Sequence, residues 1–317
     1  MYKNRKNRKS PARMKSRILI KMKSQWQLYL FMLLPVVSLL IFSYYPMFGI
    51  QLAFKDFDPN LGIWGSKWIG FEHFKKFFNS YMFSRVLKNT LVLSFYGLIA
   101  GFPIPIIFAL MLNSMRNLKY KKIVQTVTYL PHFISTVVMV GIILQVLNPQ
   151  TGLFGTVWRA FTGDIAPNIM GKSGAFPHLY VWSGVWQSVG WSSIVYIAAL
   201  SGVDTNLYEA AAIDGAGRFK QLIYIDLPSI VPTAILLLIM NAGSIMNIGF
   251  EKVFLMQNDL ILSTSEVIST YVYKVGLLGQ NDFGYATAIG LFNSIINLIL
   301  ITTVNTISSR VNDQSLW

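Results

Sequence analysis

The chain has 317 residues, 53% of them hydrophobic and only 13% charged; an ordinary soluble domain carries about 25% charged residues, so the composition argues against a soluble globular enzyme. The formal net charge is +14, from 27 Lys and Arg against 13 Asp and Glu. Ten of those basic residues (Lys3, Arg5, Lys6, Arg8, Lys9, Arg13, Lys15, Arg17, Lys21, Lys23) crowd the first 23 positions with no acid among them, which makes the basicity a property of one tail rather than a nucleic-acid footprint. Cysteine is absent, which excludes disulfides and thiolate metal sites.

Six apolar stretches follow, at 28–48, 89–112, 123–147, 179–203, 229–250 and 285–306, with no Asp, Glu, Lys or Arg inside any of them. Each is long enough to cross a hydrocarbon core of about 30 Å as a helix of about 20 residues. The expected fold is all-α: a basic tail over 1–27, a six-span transmembrane domain over 28–306 and a short tail over 307–317. The first stretch is too long for a signal-peptide core and no Ala-x-Ala site follows it. Tyr44-Tyr45-Pro46 reads instead as the aromatic edge of an uncleaved first span. With the N-terminus inside, the inner segments hold 17 Lys and Arg and the outer ones 10, so the positive-inside rule puts both termini in the cytoplasm. The tail's charges suit anionic lipid head groups.

Along the chain, 49–88 carries Phe71, Phe74, Phe77 and Phe78 at helical spacing, the aromatic face of a short helix. It suits either the outer membrane interface or packing over the bundle. Gly97 and Gly101 form a small-xxx-small pair, a cue for close helix packing. His73, His132 and His178 lie too far apart in sequence for a metal motif, and His132, after Pro131, reads as a buried, hydrogen-bonded residue. Residues 148–178 are rich in Gly, Pro and Asn and read as an irregular outer loop. Within it, Met170-Gly171-Lys172-Ser173 resembles the end of a phosphate-binding loop, but position 166 is Ala where that loop needs Gly, and no strand precedes it. The chain shows no ATP site, no catalytic motif and no metal site of its own.

The segment 204–228, between the fourth and fifth stretches, is the most informative. Asp204, Thr205 and Asn206 are capping residues, and Glu209-Ala210-Ala211-Ala212 is strongly helical. Gly215-Ala216-Gly217 breaks that helix, a second short one over 218–223 follows, and Pro228 is expected to start the fifth span. Tyr208, Phe219 and Leu222 are apolar side chains in a polar setting. Physics alone leaves two readings: docking into a groove on a soluble partner, or packing on the chain's own bundle.

These residues resemble a known pattern. Glu209-Ala210-Ala211 with Asp214-Gly215-Ala216, then Ile225-x-Leu227-Pro228, is similar to the "EAA" loop of inner-membrane permease subunits of binding-protein-dependent ABC importers. Residues 49–56, 265–273 and the Ser315-Leu316-Trp317 end resemble the subgroup that imports complex oligosaccharides. The resemblance implies a type I importer fold and partners: a second homologous permease, two cytoplasmic ATPase subunits and an extracytoplasmic solute-binding protein. ATP and Mg would be handled by the ATPases, with no cofactor in this chain. It further implies that Glu209 meets an ATPase arginine, that Ala210, Ala211 and Gly215 give close approach and the bend, and that Tyr208, Phe219 and Leu222 fill the ATPase groove. Asp214 and Arg218 fall within the same motif.

For the substrate, uncharged spans suit a neutral sugar held by hydrogen bonds and ring stacking, and an acidic sugar would more naturally meet a buried Arg or Lys. Asn241, Ser244 and Asn247 fall at i, i+3, i+6, a polar stripe expected on one helix. The resemblance puts sugar contacts in the span after the EAA loop, with Asn241 at the matching position. Gln145, Trp186, Gln187, Asn293 and Asn297 are further candidates, with interhelical hydrogen bonding or packing as the plainer role for each. The rival classes are an importer permease for another solute, a stand-alone channel, a membrane-embedded enzyme and a signalling scaffold. A channel gives no reason for the EAA pattern, and an enzyme would need carboxylates at bilayer depth.

Overall fold

The computed structural model describes residues 24–279 and 281–312. Most of the basic tail and the Ser315-Leu316-Trp317 end lie outside the described residues. Helix dominates, and the only strands among the described residues are Lys55–Asp56 and Lys67–Trp68, an antiparallel pair.

The first helical run, α1 (Trp26–Phe54), carries no buried residue in its most apolar window. It widens from α-helix into a π turn at Leu40–Tyr44 and then tightens into 3-10 geometry over Tyr45–Phe54, where Pro46 removes one backbone donor. The short helix α2 (Glu72–Asn79) buries His73 and Phe77 and leaves Phe78 exposed, as is Phe71 just before it. It packs against the last helix and so serves the bundle as well as the surface. His73 Nε2 lies 3.0 Å from the Lys55 carbonyl.

Helix α3 (Tyr81–Asn113) starts before the apolar stretch predicted from residue 89, because Ser80 caps it and accepts a hydrogen bond from the Met82 amide. Its 33 residues rise about 50 Å at 1.5 Å each, so Arg85 and Lys88 fit in the turns beyond the hydrocarbon. The third stretch is broken: α4 (Leu118–Phe133) and α5 (Thr136–Val146) meet at 99°. Pro131 takes one donor out of the helix, and Ser135 starts a new one by accepting from the Val138 amide. His132 lies face to face with Trp191, ring centroids 4.5 Å apart.

After α6 (Leu153–Thr162) comes α7 (Phe176–Ser201), which packs along α3 and crosses α4. It is 26 residues long, but its Ser, Gly, Trp, His and Gln hold its hydropathy below that of the others. Helix α8 (Thr205–Ile213) precedes α9 (Arg218–Gly243), which packs on α7 and the last helix. Helices α10 (Phe250–Met256) and α11 (Ile268–Tyr273) fold back over the bundle before α12 (Phe283–Asn312). Helices α1, α3, α9 and α12 are long and apolar enough to cross a membrane, and the bent pair α4–α5 makes a fifth candidate. With α7, each of the six predicted stretches lies mostly on helix.

Two boundaries differ from the sequence expectation. Pro228 does not start the fifth span. The helix runs on from Arg218, and a π turn at Leu222–Asp226 absorbs the donor the proline lacks. The span also ends at Gly243 rather than at 250, where a Cβ would lie 2.6 Å from Ile301 Cδ1. Residues 244–249 form a non-helical turn. The Met170-Gly171-Lys172 stretch is a 3-10 turn capped by Asn168, with no phosphate-loop geometry.

Candidate functional site

At one end of the bundle, 204–226 forms a bent helical pair. Asp204 caps α8 by accepting from the Asn206 amide. Gly215 then takes φ +73°, a left-handed value that a side chain would strain, and the chain turns into the first residues of α9. Glu209, Ala210, Asp214, Gly215, Arg218 and Phe219 are exposed, and Ala211 is partly so. Phe219 is 74% exposed and Ile213 is 87% exposed.

Tyr208 and Leu222 are turned the other way. The Tyr208 hydroxyl donates to Asp226 Oδ1, and Asn113 Nδ2 donates to the same oxygen at 3.3 Å. Asp226 is buried, so α8, the end of α3 and the start of α9 are tied through one carboxylate. Burial, reinforced by the neighbouring carboxylate, pushes the Tyr208 hydroxyl up to about 12, which keeps it a donor at physiological pH. Leu222 packs against the cluster of Ala109, Leu110, Tyr196, Leu200 and Ile230. Sequence reasoning missed Asp226 and Asn113. The signal was there: a carboxylate three residues ahead of an apolar run, with an amide at the end of another.

Beyond the far end of α9's straight portion lies a cavity of about 340 Å³. Asn241, Ser244 and Asn247 all line it, together with Ser94, Gly97 and Gly101 of α3 and Tyr180, Ser188 and Ser192 of α7. The stripe is not on one helix, since only Asn241 is helical. Ser244 and Asn247 belong to the unwound turn, and the Asn247 amide bonds the Ser244 carbonyl at 2.8 Å. Gly97 and Gly101 have nothing within 4 Å of a would-be Cβ, so they widen the cavity instead of packing a helix.

Unwound backbone at membrane depth survives only where protein or a water-filled space satisfies it. Here Ser94 Oγ donates to the Ile245 carbonyl, and Asn297 Oδ1 accepts from the Met246 amide at 3.1 Å. Asn247 Oδ1 accepts from Asn293 Nδ2 at 3.2 Å and Asn297 Nδ2 at 3.0 Å. Asn293 and Asn297 therefore hold the turn, and neither lines this cavity. Gln187 Nε2 donates to the Ile134 carbonyl at 2.8 Å, filling the acceptor freed at the α4–α5 break. Trp186 is 55% exposed on the bundle surface. Ser94, Ser188, Ser192 and Tyr180 are cavity residues the sequence reading did not select, although Ser188 and Ser192 sit one helical turn apart.

Among the described residues no cluster of His, Asp and Glu is arranged to hold a metal ion. The arrangement offers neutral hydrogen-bond donors and acceptors, an aromatic ring and a broken helix, which suits passage of a polyhydroxylated molecule rather than bond chemistry.

Residues 101–313 match the model of the family described as binding-protein-dependent transport system inner membrane component. Protein LplB of Bacillus subtilis is 41% identical over 295 residues, covering 93% of this chain and 92% of that protein. The polygalacturonan/rhamnogalacturonan transport system permease protein YteP of the same organism is 40% identical, covering 96% and 94%. A crystal structure of a bacterial ABC transporter involved in import of the acidic polysaccharide alginate contains a chain with TM-score 0.85 and 40% identity, covering 93% of this chain and 99% of that one. In a second alginate transporter structure, in complex with an alginate pentasaccharide-bound periplasmic protein, the values are 0.85, 38%, 95% and 100%. With more than half of its length matched and relatives 40% and 41% identical across nearly all of it, the chain belongs to the family of inner-membrane components of binding-protein-dependent transport systems.

Proposed function

We propose that this permease moves a sugar, an oligosaccharide, across the cytoplasmic membrane by alternating access, driven by ATP hydrolysed in partner subunits. The observation that carries the reading is the unwound turn 244–249, held by Ser94 and Asn297 beside a polar cavity on the same helix that begins in the exposed loop. One rigid element thus joins a partner-facing surface to a substrate-facing one. The relatives named for polygalacturonan and alginate support the sugar class.

On this reading the partners are a second homologous permease, two ATPase subunits carrying ATP and Mg, and an extracytoplasmic solute-binding protein. Glu209, Ala210, Ala211, Asp214, Gly215, Arg218 and Phe219, joined by Ile213, form the ATPase contact. Tyr208 and Leu222 act behind it as anchors, transmitting displacement of α8 to α9 and α3. Asn241, Ser244 and Asn247 face the passing sugar, while Asn293 and Gln187 hold the backbone breaks. Both termini are cytoplasmic, with 1–27 and 307–317 as tails around the permease domain.

The test is the assembled transporter in proteoliposomes. Gly215→Asp combined with Glu209→Ala should abolish uptake and release the ATPases while leaving the permease in the membrane. Unchanged uptake and unchanged ATPase association in that variant would remove the coupling assignment.

A further inference from the structure

A glycine in a helix interior is less stable there than alanine, so its presence asks for a reason: a left-handed backbone, a close approach, or a need for space. The first two reasons are visible elsewhere in this chain. Gly215 takes φ +73°. A Cβ at Gly190 would lie 2.2 Å from the Thr128 carbonyl oxygen, where α4 crosses α7. Neither reason applies to Gly97 and Gly101 of α3. Their φ values are not positive, and outside the helix's own backbone no heavy atom of the chain comes within 4 Å of either would-be Cβ. Both line the cavity, so space is what they supply.

The walls of that cavity differ in chemistry. Asn241, Ser244 and Asn247 on one side, and Tyr180, Ser188 and Ser192 of α7 on another, present hydrogen-bonding side chains. On α3, Ser94, Gly97 and Gly101 fall at i, i+3, i+7 and share one face. The Ser94 hydroxyl already donates to the Ile245 carbonyl. Leu93, Leu98 and Phe102, the other α3 residues on the cavity, are apolar. The α3 wall therefore cannot orient a sugar ring by hydrogen bonds, and at 97 and 101 it acts only through the room it leaves. Two small residues four apart also suit a seam for another helix, but the space beside these two is bordered by α7 and α9 of this same chain, with polar side chains on both.

We propose that Gly97 and Gly101 are specificity-determining residues of the transport path, a size gauge that sets how wide a sugar ring may be and leaves room for a small ring substituent such as an ester. The inference rests on the sugar-importer reading. Polar side chains from the other walls orient the ring, and the bare α3 wall accepts what projects from it.

The experiment uses the whole transporter with its binding protein in proteoliposomes. It compares ATP-driven uptake of a labelled oligosaccharide with that of its partly O-acetylated derivative, both first shown to occupy the binding protein. The wild type should take up both. Gly97→Ala combined with Gly101→Ala should lower the acetylated-to-parent ratio about tenfold, the scale on which a pocket discriminates one small apolar group. Gly97→Leu should lower uptake of the parent as well. Ile99→Phe, at a position 70% exposed on another face of α3, should change neither. The Tm of the solubilised complex should not fall in the alanine variant, because open space receives each methyl group and alanine favours the helix. Binding-protein-stimulated ATPase activity verifies that each variant is assembled. An unchanged ratio in the alanine variant overturns the proposal. Equal loss on both substrates overturns it by making the glycines points of helix flexibility, and a lower Tm or release of the second permease overturns it by making them a packing seam. A wild type that rejects the acetylated chain also defeats this inference and leaves the importer reading standing, whereas no ATP-driven uptake of any oligosaccharide defeats both.

Discussion

On the proposed coupling, the Asp226 carboxylate is the smallest unit that ties the exposed loop to the bundle. It is buried and accepts from Tyr208 and Asn113, which belong to two other helices. A hydrogen bond to a charged group contributes about 1.5–3 kcal/mol, and leaving the buried charge unpaired costs more. Tyr208→Phe should therefore lower uptake per ATP hydrolysed several-fold with ATPase subunits still bound. Combining it with Asp226→Asn should give less than the sum of the two losses, read by a double-mutant cycle on transport. Additive losses would mean the two residues act separately. The exposed half of this loop was legible from Glu209-Ala210-Ala211 and Gly215, since capping, alanine and glycine preferences are local. The inward half was not. Tyr208 and Leu222 have the same apolar character as Phe219, and only the fold decides which of them meets α3 and α9.

The broken elements carry the next scale. Helix α9 ends at Gly243, where Ile301 packs closely, and the following turn depends on side chains for its hydrogen bonds. Asn297→Ala removes the acceptor of the Met246 amide and a donor to Asn247, so the detergent-solubilised protein should lose about 1–3 kcal/mol, seen as a lower Tm. Asn241→Ala should leave Tm unchanged and reduce uptake, because Asn241 faces the cavity. An unchanged uptake rate would make the stripe structural. Polar side chains at 241, 244 and 247 were visible in the sequence. The unwinding was not, because apolar length alone reads 229–250 as one helix and the side chains that satisfy the turn, Ser94 and Asn297, lie far away in sequence.

A second link at this scale, between α2 and α12, is sensitive to acid. Lys76 Nζ pairs with Asp282 Oδ2 at 2.8 Å. Burial tends to raise the Asp282 pKa, but hydrogen bonds from Lys76 and the Tyr285 amide, with the nearby positive charge, outweigh it and the net shift is downward. A carboxylate with a depressed folded pKa stabilises fully above its unfolded value, near 3.9, and loses that contribution as pH falls through the folded value. Protease sensitivity of the 55–80 region should therefore rise below about pH 4. Lys76→Met should show that sensitivity already at neutral pH and lose the acid step.

At the scale of the whole molecule, charge and apolar surface are separated along the chain. The six helical stretches were legible because hydrocarbon thickness fixes their length. The size of the bend between α4 and α5 was not, since Pro131 and the Ser135 cap mark a break without fixing its angle. The apolar window of α1 buries nothing within this chain, which suits a helix laid against the second permease and lipid. On the proposed function, energy input and substrate delivery belong to other subunits, and α9 is the element of this chain that would link them. The most direct measurement is accumulation of a labelled oligosaccharide in proteoliposomes holding both permeases and the ATPases, with loaded binding protein outside the vesicles on its native side. The account predicts accumulation that requires ATP, the binding protein and an intact Gly215 bend. Flux of the sugar through this chain without ATPase subunits, or accumulation unaffected by Gly215→Asp with Glu209→Ala, would contradict it.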